Sequence, residues 1–75
     1  MKKSEIIECL KVGGSLTVDA ELFFFGELRN CAEAARTGGG IVTIINSDWL
    51  GFERIRTICK DGRGHVAFPD VSTKS

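Results

Sequence analysis

Seventy-five residues, 43% of them hydrophobic and 27% charged, describe one small globular domain: too apolar for a disordered segment, and without the run of about 20 apolar residues that spans a bilayer. Ten basic side chains balance ten acidic ones, and this zero net charge argues against a generally basic nucleic-acid binder. One histidine, one proline and no tyrosine leave few groups for acid–base chemistry.

The opening Met1-Lys2-Lys3 runs into Glu5 and Glu8, which interrupt any signal-peptide core. From Glu5 onward, Ile6, Cys9, Leu10 and Gly13 recur at i, i+3, i+4 and i+7, the spacing of one helix face. Gly13-Gly14 end that helix, and Ser15-Leu16-Thr17-Val18 reads as a first strand. A lead-in of Asp19 to Phe25 opens a second helix, with Leu28, Cys31, Ala32 and Ala35 at the same spacing. Gly38-Gly39-Gly40 then precede a second strand, Ile41-Val42-Thr43-Ile44-Ile45. The segment Asn46 to Phe52 aligns with Asp19 to Phe25 at an offset of 27 and opens a third helix through Ile55, Ile58, Cys59 and Gly62. Gly62-Arg63-Gly64 lead to the last strand, His65-Val66-Ala67-Phe68. The chain thus divides into three tandem helix–strand units, 4–18, 21–45 and 48–68, with a flexible tail expected at 69–75.

Tandem helix–strand units require parallel strands joined by right-handed helical crossovers. The expected fold is α/β: a three-stranded parallel sheet of order 1-2-3 with all three helices on one face, and Leu16/Val18, Val42/Ile44 and Val66/Phe68 pointing inward. In their tandem helix–strand pattern, over roughly residues 4 to 70, the units resemble a leucine-rich-repeat-like short α/β solenoid, although its Leu-x-Leu-x-x-Asn signature is not intact: Asn46 and Asp70 lie two residues past Ile44 and Phe68, one position early, and the first unit has Asp19 directly after Val18. That resemblance implies a binding scaffold, not a catalyst.

Three cysteines, an odd number with no Cys-x-x-Cys pair, read as free thiols in a reducing compartment, so a cytoplasmic location is expected. Cys9, Cys31, Cys59 and His65 lack the close ligand spacing of a zinc site, and all three cysteines occupy apolar helix positions, where free thiols pack as small hydrophobes. No metal and no cofactor is expected. Cys9 and Cys31, at equivalent places on adjacent helices, should lie about 8–10 Å apart, too far for a disulfide. The triple glycine follows a helix and precedes a strand, the reverse of a phosphate loop, and no Gly-Lys-Ser/Thr closes it. His65 has Asp61 and Asp70 as its nearest carboxylates in sequence but no indicated nucleophile, and is read as a strand residue facing solvent.

Two surfaces remain as candidates. With Val42 and Ile44 facing the helices, Ile41, Thr43 and Ile45 face away, together with Ala67 and His65, and no fourth helix exists to cover them. Phe24 and Trp49 are expected near the rim of this face. An exposed apolar face marks a protein contact, and an unstapled chain of this size, burying about 60% of its unfolded surface, gains by associating. A homo-oligomer or another protein partner is therefore expected, through Ile41, Thr43, Ile45, His65, Phe24 and Trp49. The alternative is an anion or nucleic-acid site on a ridge of Arg29, Arg54, Arg56 and Arg63, in a stretch where six basic side chains between residues 28 and 64 meet four acidic ones. Glu33, four residues after Arg29, is the expected ion-pair partner there.

Overall fold

The computed structural model of the chain describes residues 1–71. Its elements run α1 (Lys3–Lys11), β1 (Leu16–Asp19), a single 3₁₀ turn (Ala20–Leu22), α2 (Phe25–Gly38), β2 (Val42–Ile45), α3 (Gly51–Gly62) and β3 (Val66–Ala67). The sheet is parallel throughout, in the order β1-β2-β3. Its register aligns Leu16 with Val42 and Val42 with Val66, then Thr17 with Thr43 and Thr43 with Ala67. The helices pack side by side, α1 on α2 and α2 on α3, over one face of the sheet. This is the α/β arrangement that the alternation of helical and strand periodicity dictates.

The core lies between the layers. Leu10, Leu28, Cys31, Ala32, Ala35 and Ile58 from the helices meet Val18, Val42 and Ile44 from the strands, each almost wholly buried. Fully burying a Leu, Ile or Val side chain contributes about 1.5–3 kcal/mol, so this layer carries most of the stability. Leu16, Val66 and Phe68 complete the inward rows but are only partly covered, because β1 and β3 are edge strands.

The starts of α1 and α2 follow one device. Glu27 accepts a hydrogen bond at 2.8 Å from the Phe24 N–H, and Glu5 accepts one at 2.8 Å from the Lys2 N–H. Each carboxylate reaches back to satisfy a donor that the first turn leaves free. This places the start of α2 at Phe25, ahead of the stripe that begins at Leu28. Before it, the Asp19 side chain accepts from the Glu21 N–H at 2.9 Å and starts the 3₁₀ turn. Hydrophobic spacing alone does not register so short a turn.

Two expectations are corrected here. Gly13 is not the end of the first helical stripe; it lies beyond α1 at a φ of +102°, in the turn to β1. Nor does a loose tail begin at residue 69. The Asp70 carboxylate accepts from the Asn46 N–H at 2.6 Å, and the Val71 N–H donates to the Phe68 carbonyl at 3.2 Å, so Pro69 to Val71 are tied to the end of β2. The rest of the expected tail, 72–75, lies outside the described residues.

Candidate functional site

The sheet face opposite the helices is built from alternation. Val42 and Ile44 are fully buried beneath the helices, so Ile41, Thr43 and Ile45 point to the other side. Through the register, Thr43 lies between Thr17 and Ala67 in one row across the sheet, and Asp19 lies beside Ile45. Ile41 is 45% exposed, whereas Thr43, Ile45, His65 and Ala67 are half-buried by their neighbours. No helix of the described residues lies on this side.

His65 serves this face as a tie. Its Nδ1 lies 2.8 Å from the Gly40 carbonyl oxygen, which can only accept, so Nδ1 carries the proton and donates. The His65 carbonyl accepts from the Val42 N–H at 2.9 Å, and the same residue thereby bonds both β2 and the Gly40 turn before it. Of the two carboxylates nearest in sequence, Asp61 holds Arg29 and Asp70 holds the Asn46 N–H, leaving the ring without an orienting carboxylate. The histidine is therefore half-buried and engaged, not the solvent-facing strand residue expected from sequence.

The two aromatic rim residues separate. Phe24 immediately precedes α2 on the helix side of the molecule, its ring centroid 5.7 Å from Lys3 Nζ, so it is no part of the open face. Trp49 sits in the turn between β2 and α3 and is 43% exposed. Sequence reasoning undervalued two other apolar residues: Leu22 and Phe52 are 69% and 74% exposed at the same end of the sheet, after β1 and β2. Their signal was present in the matching lead-in segments, but alignment does not say which aromatic of a cluster turns inward. Here Phe23 and Leu50 do.

The arginines divide into two pairs. Arg29 Nε donates to Asp61 Oδ2 at 2.7 Å across the α2–α3 seam, and the guanidinium carbons of Arg29 and Arg54 each lie 5.8 Å from the Phe25 ring centroid. Asp61, not Glu33, is thus the partner of Arg29, and Arg54, not Arg56, is the arginine beside it. Arg56 lies on a different flank of α3, and Arg63 lies just past the helix, closing it at a φ of +46°. The four arginines do not form one ridge.

The cysteines differ as well. Cys31 is buried between the layers, and burial pushes its thiol up to about 11. Cys9 is half-buried. Cys59, expected in the core, is exposed on the outer side of α3, because Ile58 takes the inward position. Among the described residues no three His, Cys, Asp or Glu side chains come together in a way that could hold a metal ion. The triple glycine is packing: a Cβ on Gly38 would collide with the Leu10 carbonyl oxygen, and one on Gly40 with the Gly14 carbonyl oxygen. Between them, Gly39 at a φ of +88° supplies the left-handed residue that closes α2.

No helix of the described residues is long and apolar enough to cross a membrane. Comparison of the chain with family models, with characterised proteins and with solved structures finds no match.

Proposed function

We propose that the chain is a non-catalytic protein-interaction module that associates with itself through the uncovered sheet, by its face or by an edge strand. The observation that carries this reading is the one-sided packing of the helices. Parallel sheets are normally covered on both faces, and this one exposes Ile41 and half-buries Thr43, Ile45 and Ala67 with no helix of the described residues laid over them. The pattern resemblance to leucine-rich-repeat-like solenoids points the same way, toward a binding scaffold. The single histidine supports the reading as well, since its Nδ1 is engaged by the Gly40 carbonyl in holding the sheet.

Light scattering coupled to size-exclusion chromatography over a dilution series is the test. Association that strengthens with concentration supports the reading. An 8.2 kDa monomer at every concentration overturns self-association.

A further inference from the structure

The open face by itself is a small interface. Strands about 4.8 Å apart, at most four residues long in β1 and β2 and two in β3, with about 3.3 Å per residue, cover less than about 200 Å², well below the roughly 800 Å² per partner of a stable complex. The two ends of the sheet offer more, because each joins a strand edge that is unpaired among the described residues to the flank of a helix.

At the β3 end, Val42 and β3 bond through the His65 carbonyl, so alternation turns the peptide groups of Val66 outward. At the β1 end, Leu16 donates to the Ile41 carbonyl at 3.1 Å, so the Thr17 N–H and the Ser15 carbonyl face outward. Both edges are thus complementary to a parallel neighbour. Leu16, Val42 and Val66 already form one inward row, and Leu16 of a second copy beside Val66 continues it in register.

The helix flanks above these edges carry opposite charge. On α1, Lys3, Ile7 and Lys11 line the clefts toward α2 and Leu10 enters the core, which leaves Glu5, Glu8 and Val12 on the outer flank. On α3, Arg54 and Asp61 face α2 and Gly62 approaches Val66, which leaves Phe52, Arg56 and Cys59 outward, with exposed Arg63 just past the helix end. Phe52 is 74% and Val12 85% exposed. Each internal seam is bridged by one ion pair, Lys3 to Glu27 at 2.9 Å and Arg29 to Asp61 at 2.7 Å. Among the described residues, Glu8 on one outer flank and Arg56 and Arg63 on the other form no ion pair.

From this complementarity we infer that copies of the chain stack head to tail, β3 and α3 of one against β1 and α1 of the next, extending the sheet and pairing the basic α3 flank with the acidic α1 flank. This rests on the reading of the chain as a self-associating module and names its surfaces. The contact is heterologous, so mass grows with concentration instead of stopping at a dimer.

The test uses the intact chain with Glu8→Lys and Arg56→Glu; Glu5 is spared because it caps the Lys2 N–H. Light scattering should show each variant associating at least ten-fold more weakly than the native chain, with unchanged circular dichroism. An equimolar mixture of the two should recover association, because the unaltered Arg56 flank of one variant then meets the unaltered Glu8 flank of the other, and at the alternate junction the two reversed charges meet each other. Thr17→Pro, which removes an outward N–H without touching the β1–β2 ladder, should also block growth. If the native chain associates but only Ile45→Lys dissolves it, or if it stops at a dimer, the stacking is overturned and the module survives by another surface. A monomer throughout overturns both.

Discussion

Where α2 meets α1, backbone touches backbone; where it meets α3, side chains fill the gap. On the first seam the backbones at Gly38 and Gly40 lie so close to the Leu10 and Gly14 carbonyl oxygens that no side chain fits. The strands beneath pair over four residues. On the second, Gly62 approaches the Val66 side chain, Arg29 reaches across to Asp61, and the strands pair over two residues before Pro69. A contact made by backbone has no slack, whereas one made by side chains can readjust. The first seam should therefore be the less tolerant of change.

The same substitution on both sides tests this most directly. Gly38→Ala and Gly40→Ala force a backbone shift in a packed site, and each should cost about 3 kcal/mol or more, the upper end of overpacking, in chemical denaturation. Gly62→Ala meets only side-chain atoms, Val66 Cγ1 at 3.0 Å, Val66 Cβ at 3.1 Å and Ala32 Cβ at 3.5 Å, and the helical preference of alanine offsets the strain, so the change should stay within about 1 kcal/mol. Equal losses at Gly38 and Gly62 would remove the distinction. Arg29→Ala should change stability less than the substitutions at Gly38 and Gly40, because the Arg29 side chain is 45% exposed and such pairs contribute little.

Protons sharpen the comparison further. Glu27 sits on the first seam, and the hydrogen bond from the Phe24 N–H, aided by Lys3, holds its carboxyl below the ordinary range. Its folded value being lower than its unfolded one, the stabilisation is present above about pH 4.3 and is lost as pH falls below it. Glu27→Gln should flatten that acid limb of the stability curve. Cys31 runs the opposite way. With its folded value raised to about 11, the stabilisation is complete below about pH 8.5 and fades as pH rises toward 11. The smallest effect concerns only rate: a maleimide at pH 7.5 should modify exposed Cys59 first, Cys9 next and Cys31 only on unfolding. Early labelling of Cys31 would show that the α1–α2 seam opens.

Much of the architecture was legible because periodicity is a local property. Stripes such as Leu28, Cys31, Ala32 and Ala35 have one solution in a helix, and Val42/Ile44 alternation has one in a strand; tandem units then leave little choice of topology. The inward rows followed for the same reason. The candidate site was less legible. Ile41, Thr43 and Ile45 could be placed by parity, but Phe24 could not, since in a Phe23-Phe24-Phe25 run composition does not say which ring points where. Cys59 was misplaced because it adjoins Ile58 at the edge of the helical stripe, and only packing decides which of two neighbours takes the inward position.

The pattern of apolar residues and glycines determined the three helices, the three parallel strands, their order and the face left uncovered, because each depends on spacing within a few residues. Tertiary structure alone decided that Arg29 binds Asp61, that His65 donates to Gly40, that Asp70 anchors the segment after β3, and that acidic and basic flanks end the molecule. These join residues 24 to 32 positions apart in the chain, or arise from which side of a helix remains once its neighbours are in place. Distances of that kind exist only after the layers have packed.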